Sequence, residues 1–191
     1  NSAVQSIRRF EHGVELHSAS GGTELFDCVF VACHSNQALS LLADATTTEN
    51  DVLSAIRYQP NEAILHTDES LMPTSRRAWA AWNYHIPQDL TRHVAVTYNM
   101  NILQGFRADN QYLVTLNNDQ KINTDKILRR VHYEHPIYSR ESVVAQQRQG
   151  EINSNRTFYC GAYWRSGFHE DGVVSALSAI KHFKEKLSNG Q

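Results

Sequence analysis

The residues whose types and spacing promise most chemistry run Cys160-Gly161-Ala162-Tyr163-Trp164-Arg165-Ser166-Gly167-Phe168-His169-Glu170-Asp171-Gly172-Val173-Val174-Ser175-Ala176. They read as a strand end, a loop with three aromatics and two glycines, and a helix start. Its free backbone N–H groups are expected at Gly172, Val173 and Val174. A helix amino end can hold an electron-rich oxygen of a ligand, because the N–H groups converge there and the dipole is positive. The glycines would let a flat ligand approach the backbone closely. A plainer reading has Asp171 as the helix cap and the aromatic loop closing the core, and local physics does not separate the two.

Other constellations carry less. His132-Tyr133-Glu134-His135 has closely spaced donors, but Pro136 and a strand-like context deny it the helical spacing of the metalloprotease motif, so no metal site is expected. Cys33 and His34 suggest a thiolate–imidazole pair, yet neighbours on a strand point to opposite faces. His66-Thr67-Asp68 could orient a base, or could mark a strand end entering a turn. Neither a Gly-x-Ser-x-Gly elbow nor a phosphate loop is present. Asn155-Arg156-Thr157 has the form of a glycosylation acceptor, without a signal peptide to give it meaning.

Positioning these residues falls to two kinds of segment. Val4 to Arg9, Val14 to Ser18 and Phe26 to Cys33 are predicted as a three-stranded meander, the last strand apolar on both faces and running into a helix capped by Ser35. Asp51 to Ile56 is predicted as a short helix before Pro60. Strand-like runs follow at Ala63 to Thr67, Ala78 to Tyr84, Val94 to Met100, Tyr112 to Leu116 and Arg129 to Tyr133. Turns at Met72-Pro73-Thr74, Pro87-Gln88-Asp89 and Asn117-Asn118-Asp119 separate them, and the scarcity of helices favours antiparallel or mixed pairing. Ser139 opens a helix to about Arg148. Thr157 to Cys160 is a short strand, and Gly172 to Leu187 a long helix with Ala176, Ile180, Phe183 and Leu187 on one stripe.

The chain has 191 residues with 18 basic against 20 acidic side chains, a net charge of −2. That length suits a domain with a real core, and near-neutral charge argues against nucleic acid as partner. No apolar run approaches a transmembrane segment, and the amino end has the pattern of neither a signal peptide nor an initiator Met. Three cysteines, Cys28, Cys33 and Cys160, are too few for a disulfide framework, which favours a reducing, cytoplasmic setting.

With these residues in view the sequence resembles the FAD-dependent amine oxidase superfamily. The segment Ser166-Gly167-Phe168-His169-Glu170-Asp171-Gly172-Val173, after Gly161-Ala162, is similar to that superfamily's carboxy-terminal flavin motif. A closer resemblance is to its NAD/FAD-binding, flavin-containing amine oxidase group, through Phe26 to Ser35, Leu65 to Asp68, Ala78 to Tyr84, Val96 to Asn101 and Gly167 to Gly172. The resemblance implies that Gly161 and Ala162 lie beside the flavin ribityl and pyrophosphate. It implies that Asp171, Gly172 and Val173 face the pyrimidine edge of the ring, that Val4 contacts the adenine, and that Ala32 and Cys33 lie near the ADP moiety. Phe168, with Trp164 of the same loop, falls on the substrate side.

The superfamily's Gly-x-Gly-x-x-Gly fingerprint is absent. The expectation is therefore the carboxy-terminal portion of a longer flavoprotein, its amino-terminal half missing, which alone binds FAD weakly or not at all. The lysine that many amine oxidases place near the flavin has no counterpart in the matching strands, and the catalytic residues are left unassigned. The resemblance implies a FAD-dependent oxidoreductase that passes a substrate hydride to the flavin; a flavin-dependent desaturase of a lipid acyl chain or polyene is a rival reading, and a non-catalytic fragment or interaction module is a third. The expected fold is α+β. Residues 1–45 form the meander and strand–helix edge of a FAD domain, 46–155 a largely antiparallel substrate-type domain, and 156–191 the final strand, loop and helix.

Overall fold

The computed structural model describes residues 2–86, 95–117, 121–154 and 156–189. The turn at 87–89, residue 94, most of the turn at 117–119 and Asn155 fall outside them, as does the Leu187 side chain. The strands are β1 (Val4–Phe10), β2 (Gly13–Ser18), β3 (Thr23–Phe26), β4 (Val29–Val31), β5 (Tyr58–His66), β6 (Trp82–His85), β7 (Ala95–Asn99), β8 (Leu113–Leu116), β9 (Ile127–Pro136) and β10 (Thr157–Tyr159). The helices are α1 (Ser35–Leu41), α2 (Thr47–Ala55), α3 (Met100–Gln104), α4 (Arg140–Gln146), α5 (Gln149–Ile152) and α6 (His169–Asn189). The fold is the expected α+β class. It divides into two compact units, Asn1–Tyr58 with Pro136–Gln191, and Gln59–His135. These divisions differ from the 45/46 and 155/156 lines drawn from sequence, because α2 packs on α1, α4 and α5 in the first unit.

In the first unit β1, β2 and β3 form the antiparallel meander. The predicted third strand from Phe26 to Cys33 is two strands: β3 ends at Phe26, and β4 leaves the meander to pair in parallel with β10. Arg156 explains the break. It holds φ at 68°, rare for a side-chain-bearing residue, and its guanidinium donates to the carbonyls of Glu11 (2.9 Å) and Asp27 (2.9 Å). Its own carbonyl accepts the Val29 N–H at 2.8 Å, setting the parallel register. The apolar character of the segment serves two environments. Val31 enters the main core with Ile7, Val14, Val52, Leu53, Ile56 and Tyr159, whereas Phe30 stacks on Phe158.

The helix predicted to open at Ser139 forms as α4, Ser139 capping it with its hydroxyl accepting the Ser142 N–H at 3.2 Å, but it ends at Gln146 rather than about Arg148. Three helix starts differ. His34, rather than Ser35, precedes α1, because the Ser35 hydroxyl is buried and donates to the Ile56 carbonyl at 3.0 Å. Helix α2 begins four residues before Asp51, where Thr46 and Glu49 form a reciprocal capping box. Helix α6 begins three residues before Gly172. Its buried side is Ser175, Ala176, Ala179 and Phe183, while Ile180, predicted on that stripe, is exposed.

The second unit is a five-stranded sheet in the order β6-β7-β8-β5-β9. The Ala78 to Tyr84 run is not one strand. Arg76–Ala78 forms a 3-10 turn, the Trp79 indole donates to the Pro73 carbonyl at 2.8 Å, and β6 starts at Trp82. Register aligns Trp82 with Tyr98, Val114 and Leu65, and Tyr84 with Val96, Leu116 and Ala63. Alternation puts the other set, including Ile64, His66, Thr97, Asn99, Leu113 and Thr115, on the buried face.

Candidate functional site

Parallel strands β4 and β10 end side by side, since the Cys160 N–H donates to the Val31 carbonyl at 3.0 Å. Each then feeds a helix, β4 through Ala32 and Cys33 into α1, β10 through the 160s loop into α6. The carboxyl ends of adjacent parallel strands are where α/β sheets bind ligands. Two site segments implied by the resemblance, 32–33 and 161–173, therefore meet at one edge of the first unit. Val4 stands apart, at the start of β1 opposite Ser18.

The loop is fixed by its own hydrogen bonds. The Gly161 N–H donates to Ser175 Oγ at 2.8 Å, and that hydroxyl donates to the Gly172 carbonyl at 2.9 Å, tying the strand end to the first turns of α6. Gln146 Nε2 donates to the carbonyls of Tyr163 (2.8 Å) and Arg165 (2.7 Å). Neither Ser175 nor Gln146 stood out in sequence; only their placement makes them anchors.

The helix end differs from expectation. Asp171 is not the residue preceding the helix: it lies in the first turn, and its carboxylate accepts the Phe168 N–H at 3.0 Å. The Gly172 N–H is already bonded to the Phe168 carbonyl at 3.3 Å. The first-turn donors are thus those of His169, Glu170 and Asp171, with Gly172 and Val173 one turn further in. Phe168 is 59% exposed, free to meet a ligand, whereas Trp164 is 4% exposed with its ring packed beside Tyr163 in the core.

The three glycines of this region have different reasons for being glycine. A Cβ on Gly161 would stand 2.5 Å from the Tyr163 ring, and one on Gly167, whose φ is 89°, would stand 2.5 Å from Tyr138 Oη. Gly172 has no such reason: its added Cβ would meet nothing nearer than the Ala162 nitrogen at 3.9 Å. Glycine there costs about 1 kcal/mol of helix stability relative to alanine. The chain's own packing does not require it.

Behind the strand ends lies a buried polar node that sequence reasoning missed, although the Thr46-x-x-Glu49 spacing signalled part of it. Glu49 accepts from the Arg9 guanidinium, from Tyr159 Oη at 2.7 Å and from the Thr46 N–H at 2.8 Å. Burial pushes the Glu49 carboxyl up, but the hydrogen bonds from Arg9, Thr46 and Tyr159 outweigh it and the net shift is downward. Burial and the Glu49 carboxylate push the Tyr159 phenol up.

In the second unit the His66 ring is buried and hydrogen-bonded to neutral groups. Its Nδ1 accepts the Asp68 N–H at 3.1 Å, so its proton sits on Nε2, which donates to Thr115 Oγ1 at 2.7 Å. Thr115 and Thr97 share a further hydrogen bond of 2.8 Å. Burial lowers the His66 pKa against the opposing pull of Asp68. Among the described residues there is no group of three or more side chains able to hold a metal, and no helix long and apolar enough to cross a membrane.

Similarity to known proteins appears in shape. A fatty acid isomerase from P. acnes that produces CLA superposes with a TM-score of 0.59 over 96% of this chain and 47% of its own, at 14% identity. A reduced UDP-galactopyranose mutase gives 0.60 over 97% and 46%, at 12% identity. A putrescine oxidase bound to putrescine, from work on redesigned cofactor binding, gives 0.57 over 96% and 49%, at 11% identity. What is shared is the fold. The chain spans about half the length of these structures. No family model matches the sequence, and no curated protein does.

Proposed function

We propose that the chain is part of a FAD-dependent oxidoreductase of the amine oxidase superfamily, with the junction of β4, β10 and α6 as one side of the flavin site. The observation that carries this reading is Gly172, a glycine inside a helix with room for a Cβ that no neighbour in the chain forbids. A flat ligand lying against α6 supplies the missing reason. Gly161 and Ala162 would border the ribityl and pyrophosphate, Ala32 and Cys33 the ADP moiety and Val4 the adenine. The first turn of α6 through Val173 would face the pyrimidine edge, where its N–H dipoles suit negative charge. When bound, FAD supplies the capacity to take a hydride from substrate; these residues hold and orient it. The half-length match to neighbours, one an oxidase whose cofactor binding was the subject of redesign, supports a complete protein with further cofactor-binding parts.

A second reading concerns substrate class. The open face of the five-stranded sheet carries Leu65, Trp82, Tyr84, Val96, Tyr98, Val114 and Leu116, with Trp82 47% and Tyr84 65% exposed. These apolar side chains suit an apolar substrate such as an acyl chain or polyene. The test is flavin absorbance of the full-length natural protein and its anaerobic bleaching. Bleaching by acyl lipids supports the second reading and bleaching by amines removes it. A protein that binds no flavin removes both.

A further inference from the structure

Ser175, in the second turn of α6, is 2% exposed, and a hydroxyl buried inside a helix must have its hydrogen bonds met locally. Its proton goes to the Gly172 carbonyl at 2.9 Å, which leaves the oxygen to accept, and what it accepts is the Gly161 N–H at 2.8 Å. Gly161 needs that bond. Its φ of 156° is a conformation open to glycine and rare for other residues, and glycine's own backbone preference would not hold it there. The Trp164 N–H fixes the Gly161 carbonyl at 3.2 Å, and Ser175 fixes its amide. The backbone of Ser175 is held in turn. Gln149 Nε2 donates to its carbonyl at 3.3 Å and to the Tyr159 carbonyl at 2.8 Å, joining α6 to β10.

The consequence falls on the next residue. The Cys160 amide is spent on Val31 and the Gly161 amide on Ser175, so the first amide after β10 without an acceptor among the described residues is that of Ala162. Ala162 is partly exposed, and its nitrogen is the atom nearest to a Cβ added at Gly172, 3.9 Å away. The free donor and the glycine of α6 therefore border one notch, and a free backbone N–H is the kind of group that holds a phosphate oxygen. We infer that Ser175 is a positioning residue for the cofactor's phosphates. By consuming the Gly161 amide and fixing the glycine peptide, it leaves the Ala162 N–H as the donor to a phosphate oxygen, for which Gly172 gives room. The inference rests on the proposed flavin site, and it assigns a role to a side chain that acts through Gly161 without reaching the cofactor itself.

The experiment titrates FAD and riboflavin into the full-length natural protein and its Ser175→Ala variant, followed by flavin fluorescence, with urea unfolding to establish that both are folded. Riboflavin carries no phosphate and should not register the change. The expected result is a loss of FAD affinity of at least tenfold in the variant, with riboflavin affinity changed by less than twofold. Hydrogen exchange of the loop 160–168 should also quicken in the variant apoprotein, since the Gly161 amide has lost its acceptor. Equal losses for the two ligands overturn the inference, because they mark a general loosening of the site. Unchanged loop exchange overturns it as well. A parent that binds FAD beside a variant that binds it equally defeats only the role of Ser175, whereas a parent that binds no flavin defeats the cofactor reading and this inference with it.

Discussion

In the first unit one buried polar node is charged and reaches across elements far apart in sequence, Arg9 on β1 and Tyr159 on β10 meeting on Glu49 of α2. In the second a ladder of neutral groups passes between neighbouring strands, His66 to Thr115 to Thr97. The contrast matches what each unit presents. The first fixes backbone at the ends of β4 and β10, where a small displacement would spoil contacts to a ligand. A charged node does this because each partner is costly to leave unpaired. The second presents an open sheet face whose side chains are apolar, and a hydrogen-bonded ladder behind it keeps the strands in register without constraining the face.

The largest expected effect breaks the charged node. Glu49→Ala leaves the Arg9 guanidinium buried without its main partner and should cost about 3–5 kcal/mol in urea unfolding. The pair Arg9→Met with Glu49→Leu should recover most of that. A single-variant cost below about 1 kcal/mol would put the two units on the same footing.

Asp68 is the exception within the second unit, a buried carboxylate accepting from the N–H groups of Asn123 (2.9 Å) and Ser70 (3.2 Å) and from Lys126. Burial would raise its pKa, but these donors bring it from 3.8 down to about 2. The folded value lies below the unfolded one, so the contribution, roughly 2 kcal/mol, is complete above about pH 4 and disappears as pH falls through about 2. An Asp68→Asn variant should flatten acid unfolding across that range; an unchanged acid limb would show that the carboxylate is not the controlling group.

The ladder should respond more weakly. Thr115→Val removes two neutral hydrogen bonds and should cost about 1–2 kcal/mol. His66 binds a proton less readily folded than unfolded, so stability is complete above about pH 6.5 and declines below it, and His66→Gln should remove part of that slope. Smallest of all, Trp82→Ser on the open face should change stability by less than about 0.5 kcal/mol, while turnover of an apolar substrate by the full-length protein falls severely. Loss of stability without loss of turnover would make Trp82 a core residue after all.

The sequence showed most of the elements and hid what they exchange. Alternation located the strands of the sheet but could not say which face was covered. The aromatics Trp82 and Tyr84, the natural candidates for a core, stand on the open side, while threonine and histidine are inside. The break between β3 and β4 was invisible because its cause, Arg156, lies about 130 residues away. Asp171 looked like a residue preceding a helix because it does cap one, from inside the first turn back to Phe168. The candidate site was legible as a loop between a strand and a helix. Its anchors, Ser175 and Gln146, act on backbone atoms and leave no spacing to recognise.

The most direct test of the flavin reading is a FAD titration of the full-length natural protein beside its Gly172→Ala variant, with urea unfolding of both apoproteins. Alanine fits the space the chain leaves and should raise apoprotein stability by about 0.5–1 kcal/mol. FAD affinity should fall at least tenfold, the two effects having opposite signs because the glycine serves the ligand and not the fold. Unchanged FAD affinity in a stabilised variant, or no FAD binding by the parent protein, would contradict the placement of the cofactor at this junction.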